Sequence, residues 1–146
     1  MFKIFSQRDK RWATVTLGQT KHTIGRLGCT ITSIAAALTS FGKATDPAKL
    51  AKTLSFTREG LLLWGSLAKV GCRLDQRFYG HNQRLIQGAL AHPKKFALIQ
   101  VDSSHWVLAT GNYSAGVYKI ADPWFGDRST TKRYGKITGG AVITVL

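Results

Sequence analysis

The chain has 146 residues, 44% of them hydrophobic, and its 21 Lys and Arg against 7 Asp and Glu give a net charge of +14. This length fits a single domain over residues 1–146 with a full hydrophobic core, and the composition excludes a disordered chain. No apolar run reaches the roughly 20 residues that cross a bilayer, and the N-terminus has no long apolar segment of the signal-peptide kind. We therefore expect synthesis in the cytoplasm without a signal peptide.

A cysteine stands at the start of the first predicted helix. Residues 31–41 have their apolar side chains at helical spacing, and Gly42 follows where such a helix ends. Cys29 therefore lies at or just inside the helix N-terminus, where free backbone N–H groups and the helix dipole favour a thiolate. Gly25 and Gly28 precede it, and we expect them to let another chain approach the sulfur closely. The alternative is a buried structural cysteine.

Three more helical stretches follow before residue 93. Asp46 as N-cap and Pro47 at the first helical position begin a short helix. Residues 61–70 form the next helical stretch, and Asn82 is placed to cap another over residues 83–90.

After Pro93 the pattern changes from helical to strand-like. Helices that precede a run of strands indicate an α+β domain with an antiparallel sheet. The predicted strands are residues 96–101, 105–110, 117–121, 130–134 and 141–145.

The two cysteines give no sign of a disulfide or a zinc site. Cys29 and Cys72 are the only ones in the chain, a cytoplasmic origin argues against their pairing, and their number excludes a zinc finger. We interpret Cys72 as structural. No cluster of His, Cys and acidic residues has the tight spacing of metal ligands, so we expect no metal and no other cofactor.

Two titratable residues stand at matching ends of neighbouring predicted strands. His105 begins one strand and Asp122 ends the next, so an antiparallel hairpin brings them to one rim of the sheet. If the first helix points its N-terminus at that rim, Cys29 completes an arrangement of nucleophile, base and orienting carboxylate. The alternatives are an ordinary surface or core histidine and an Asp-Pro pair that opens a turn.

Four stretches of the chain combine the candidate residues with glycine and aromatic neighbours: residues 7–12 (QRDKRW), 23–33 (TIGRLGCTITS), 105–111 (HWVLATG) and 122–126 (DPWFG). In this order they resemble the C39-like branch of the papain-like cysteine peptidases. The resemblance implies a papain-like fold, with N-terminal helices packed on a C-terminal antiparallel sheet of about five strands. It also implies a thiol protease in which Cys29 is the nucleophile, His105 the general base and acid, and Asp122 the orienting group.

Papain-like enzymes also use a glutamine upstream of the cysteine, beside the cysteine's backbone N–H, as an oxyanion hole. The resemblance implies Gln7, which opens the first matching stretch, and Gln19 is the second candidate because it is nearer to the cysteine in sequence.

The positive charge points to a polyanionic partner, although it could also serve only solubility. Together with the resemblance, it leads to the hypothesis of a bacteriolytic, phage-type endolysin or an injected effector. Such an enzyme cuts peptide bonds of peptidoglycan, reaches the bacterial cell wall after release or injection, and is held there by anionic wall polymers. The alternatives are a protease that processes proteins or leader peptides, an acyltransferase with the same triad, and a catalytically idle module that binds nucleic acid.

Overall fold

A computed structural model describes residues 2–146 of the chain. It is an α+β structure with one six-stranded antiparallel sheet in the order β1-β6-β2-β3-β4-β5, which confirms the predicted class. The helices are α1 (Ile24–Leu27), α2 (Cys29–Ser40), α3 (Pro47–Thr53) and α4 (Gln83–Ala91), with 3₁₀ helices at Trp64–Val70 and Thr131–Arg133. The strands are β1 (Cys72–Tyr79), β2 (Lys95–Val101), β3 (His105–Ser114), β4 (Val117–Asp122), β5 (Asp127–Thr130) and β6 (Ile137–Val145).

Both faces of the sheet are covered. Successive side chains of a strand point to opposite faces, and in β2 Phe96 and Leu98 join the core beneath α2 and α3. Ala97 and Ile99 join a second core, beneath α4. This double burial explains why the middle of β2 is continuously apolar rather than alternating.

The predicted helix starts are confirmed by their capping bonds. The Asp46 carboxylate accepts the backbone N–H of Lys49 at 2.8 Å, and the Asn82 side chain accepts that of Leu85 at 3.1 Å. Helix α2 begins at Cys29, as its apolar spacing predicts, and buries that face under the sheet.

The strands predicted over residues 105–110 and 141–145 are four residues longer, as β3 and β6, and two other predicted elements are wrong in type or place. The helix expected over residues 61–70 is a 3₁₀ helix that begins only at Trp64. The strand expected over residues 130–134 ends at Thr130, because the Thr130 hydroxyl accepts the backbone N–H of Lys132 and turns the chain into a 3₁₀ helix.

The sixth strand, β1, was not predicted. It is an edge strand that leaves most of its side chains partly or fully exposed, and its register shifts between Leu74 and Gln76. A bulge of this kind breaks the alternation by which strands are detected. β1 is nevertheless important for the site, because its Arg77 lines the cleft described below.

A tight turn sets the start of β3. Asp102 and Ser103 both have positive φ angles, 50° and 64°, which non-glycine residues rarely adopt. The Asp102 carboxylate holds this turn by accepting the backbone N–H of Lys136 at 2.9 Å and of Gly135 at 3.3 Å. His105 therefore follows a turn that is tied to the neighbouring strand connection.

Candidate active site

Cys29 is the first residue of α2, and its side chain is partly exposed. Gly25 and Gly28 determine how the backbone leads into Cys29. A Cβ on Gly28 would lie 2.6 Å from the Ile24 carbonyl oxygen, and one on Gly25 would lie 2.9 Å from that of Ala13. Both glycines thus pack against this chain's own backbone, and the expectation that they leave room for another chain is wrong. They position the N-terminus of α2 and the backbone N–H groups that its first turn leaves free.

His105 lies between Cys29 and Asp122. Its Nε2 is 3.0 Å from Oδ1 of Asp122, which leaves Nδ1 as the ring nitrogen for the Cys29 thiol. Burial of the ring disfavours its charged form, but hydrogen bonds with Asp122 and Cys29 outweigh burial and raise the pKa of His105 to about 9. The imidazole is therefore protonated at neutral pH, as a thiolate–imidazolium pair requires.

Asp122, the last residue of β4, is fully buried and accepts four hydrogen bonds. Besides His105, its donors are the backbone N–H of Trp124 at 3.0 Å, the Arg133 guanidinium at 3.0 Å and the Tyr134 hydroxyl. Burial alone raises the pKa of a carboxyl group, but the bonds from His105, Tyr134 and Arg133 lower that of Asp122 to about 2. The carboxylate is thus ionised over the whole physiological range.

Sequence analysis did not identify Arg133 and Tyr134. They follow Asp122 by 11 and 12 residues, within a segment that was assigned to a strand. Arg133 is also forked onto Asp127, with distances of 2.8 and 2.9 Å, and this pairing raises the pKa of the guanidinium. No local motif marks either residue; only the 3₁₀ turn after β5 brings them beneath Asp122.

Gln7 forms part of the same cleft and is 1% exposed. Its backbone N–H donates to the Pro123 carbonyl at 2.8 Å, which ties the N-terminal arm to the end of β4. Its side-chain Nε2 donates to Gly25 at 3.3 Å and Ile24 at 3.5 Å, and its Oε1 has no partner among residues 2–146. Both bonds are long, so the amide is held weakly. Gln19 is exposed and lines a different cavity, so the structure does not bring it to Cys29.

The cleft onto which Cys29 and His105 open has a volume of about 530 Å³. None of the described residues that line it is an Asp or a Glu. Arg26 and Arg77 give this lining a positive formal charge. Besides His105, the aromatic and cationic side chains of its walls are Phe56, Trp64, Trp106, Trp124, Arg26 and Arg77.

A second cavity, of about 760 Å³, lies next to the first, and Phe56 lines both. Four cationic side chains surround it, and within the described chain no acidic residue does. They are Lys21, Lys52, Arg58 and Lys69.

Across residues 2–146, no group of three or more His, Cys, Asp or Glu side chains is arranged to hold a metal ion. In that same range no helix combines the length and apolar character needed to cross a membrane. No model of a known protein family matches the chain, and no curated protein matches it either. Membership of the C39-like branch therefore stays a prediction from the residues themselves.

Proposed function

We propose that this chain is a cysteine-dependent amide hydrolase of the papain-like, C39-like type. One observation supports this above all others: His105 hydrogen-bonds with Asp122, and Cys29 and His105 line the same cleft, close enough for Cys29 to raise the pKa of His105. These are the residue types and the order of contacts that nucleophilic catalysis by a cysteine needs.

In the first half of the reaction, the Cys29 thiolate attacks the carbonyl carbon of the scissile amide. The resulting tetrahedral oxyanion collapses, the C–N bond breaks, and the His105 imidazolium gives its proton to the departing amine. A thioester between Cys29 and the acyl group remains. The buried Asp122 carboxylate keeps the imidazole oriented and stabilises its charged form.

In the second half, His105 is neutral and takes a proton from a water molecule. The hydroxide equivalent attacks the thioester, the C–S bond breaks, and the acid product leaves with Cys29 restored as thiolate beside imidazolium. We assign the oxyanion hole to the backbone N–H of Cys29 and the amide of Gln7, which lines the same cleft. An amine in place of water would give acyl transfer by the same steps.

The substrate that we propose is the peptide part of bacterial peptidoglycan, reached after release or injection. The net charge of +14 supports attraction to an anionic envelope. The cationic cavity beside the cleft supports it further, because an anionic wall polymer held there would keep the cleft close to its target.

Digestion of purified peptidoglycan tests this proposal. We expect the wild type and Cys72→Ala to release new free amines and Cys29→Ala to release none, and mass spectrometry of the products then identifies the bond. Absence of new amines with the wild type contradicts the wall as substrate. New reducing sugar ends without new amines would contradict amide hydrolysis itself.

A further inference from the structure

Arg77 lines the cleft and lies in an aromatic cage. Its guanidinium carbon is 5.0 Å from the ring centre of Trp64, 5.1 Å from that of Trp106 and 5.5 Å from that of Tyr79. Its Nε donates to the Gly140 carbonyl at 3.3 Å. Cation–π contacts and this bond fix the plane of the guanidinium, so a partner would meet a preorganised group.

Two other stacked arginines of the described chain already pair with carboxylates: Arg11 forks onto Asp9, and Arg133 pairs with Asp122 and Asp127. A third, Arg8, stacks on Trp124 and donates to its carbonyl, but it is exposed and does not line the cleft. No carboxylate in residues 2–146 lies within ion-pair distance of Arg77.

Its two terminal nitrogens make no hydrogen bond within this described part of the chain, although they belong to a partly buried side chain that lines the cleft. A guanidinium with a fixed plane and both terminal nitrogens free can donate two parallel hydrogen bonds to one carboxylate.

We propose that Arg77 binds a carboxylate of the substrate, so that the cleft selects acidic peptides. The inference rests on the proposed function, since it takes the cleft to be the place where a peptide binds. The absence of Asp and Glu from the cleft lining favours it, and Arg26 adds a second positive charge on the same walls. Because Arg77 is partly buried, a pair formed there is screened less than one at the surface.

Binding to the Cys29→Ala protein tests this without any turnover. The two probes are an acetylated tetrapeptide that contains one glutamate and ends in a free carboxylate, and the same peptide with glutamine and a C-terminal amide. Calorimetry gives the affinities, and the fluorescence of Trp64 and Trp106 reports occupation of the cage. We expect the acidic peptide to bind about ten- to a hundredfold more tightly, as hydrogen bonds between charged groups imply.

Three further variants in the Cys29→Ala background separate this role from packing. Arg77→Met keeps the stem and should abolish the difference between the peptides, Arg77→Lys should keep part of it, and Arg84→Met, an exposed arginine on α4 away from the cleft, should keep all of it. The inference is overturned if the two peptides bind with equal affinity, or if the acidic peptide does not bind at millimolar concentration. It is also overturned if the difference in affinity survives Arg77→Met or is unchanged in Arg77→Lys. If Arg77→Met fails to fold, the lysine variant and the pair of peptides still decide.

These results are independent of whether the wild type cuts peptidoglycan. If it does, Arg77→Met should raise KM for an acidic substrate and leave kcat close to its original value, because the lost contact binds ground state and transition state alike.

Discussion

The two cysteines show how differently one dipeptide can be used. Each follows a glycine and each opens an element, Cys29 opening α2 and Cys72 opening β1. Cys29 is partly exposed and raises the pKa of His105, with which it lines the cleft. Cys72 is 1% exposed, its sulfur lies 3.8 Å from the Val70 carbonyl oxygen, and burial raises the pKa of its thiol.

The difference arises in the backbone before each cysteine and in what each sulfur faces. Gly28 has a φ angle of −87° and continues the chain into a helix, whereas Gly71 has a φ angle of 71° and ends a 3₁₀ helix ahead of a strand. A Gly-Cys pair therefore indicates little by itself. The Cys29 thiol is suited to catalysis because a helix starts there and a histidine reaches the helix N-terminus. Cys72 lacks both features and stays in the core.

The largest expected effect separates the two cysteines by activity. Cys29→Ala removes the proposed nucleophile and should lower amide hydrolysis by about 10⁴-fold or more. Cys72→Ala removes a buried sulfur far from the chemistry and should keep the rate while lowering thermal stability, by about 1 kcal/mol. Rates on peptidoglycan together with melting curves check both, and similar rates for the two variants would contradict the assignment.

The next effect concerns the carboxylate that orients His105. Asp122→Asn keeps the shape but removes the charge that holds the imidazolium, so kcat should fall by about 10²- to 10⁴-fold. Asp127→Asn is the matched control, because Asp127 pairs with the same Arg133 but not with His105. Steady-state kinetics should show a small loss, less than about fivefold, for the control; equal losses would place the effect in Arg133 rather than in the histidine.

Chemical labelling should distinguish the two thiols without any substrate. Iodoacetamide at pH 7 should modify Cys29 at least about a hundredfold faster than Cys72, because only Cys29 is accessible and next to an imidazolium. Peptide mapping by mass spectrometry measures both rates. Unfolding in guanidinium should bring the two rates together, and a fast reaction of Cys72 in the folded protein would contradict the comparison.

The pH dependence follows from the two shifted groups. The pKa of His105 is raised to about 9, so its contribution to stability is fully present below pH 6.5 and is lost as pH rises through 9. The pKa of Asp122 is lowered to about 2, so its contribution is present above pH 3.8 and is lost as pH falls through 2. Activity should decline above about pH 9 as the general acid is lost, and melting temperatures should fall in both windows. An alkaline decline centred near pH 6.5 would show that Asp122 and Cys29 do not hold the imidazolium.

The parts of the site that sequence could predict are those marked by local rules. The N-cap residues Asp46 and Asn82 and the apolar spacing of α2 are local signals, and they predict where α3, α4 and α2 begin. The antiparallel hairpin of β3 and β4 then brought His105 and Asp122 to one rim.

The parts that sequence could not predict depend on tertiary contacts. β1 is a bulged edge strand without clean alternation, so no sequence pattern indicates Arg77 and its aromatic cage. Tyr134 acquires its role only because the chain turns into a 3₁₀ helix after β5, and a hydrogen bond formed 12 residues away through such a turn leaves no periodic trace.

The smallest expected effect is that of Tyr134, which acts on the cysteine region only through Asp122. Tyr134→Phe removes one of four donors to that carboxylate, so it should lower stability by about 1–2 kcal/mol and activity by only a few fold. Tyr113→Phe, an exposed tyrosine on β3, is the control and should change neither. The alkaline decline in activity should stay near pH 9 in Tyr134→Phe and move toward pH 6.5 in Asp122→Asn, because the first variant leaves the carboxylate charge beside His105 and the second removes it. An equal shift in both variants would mean that Tyr134 holds the imidazole of His105 directly. The contact would then be stacking rather than charge, between two rings whose centres are 5.4 Å apart.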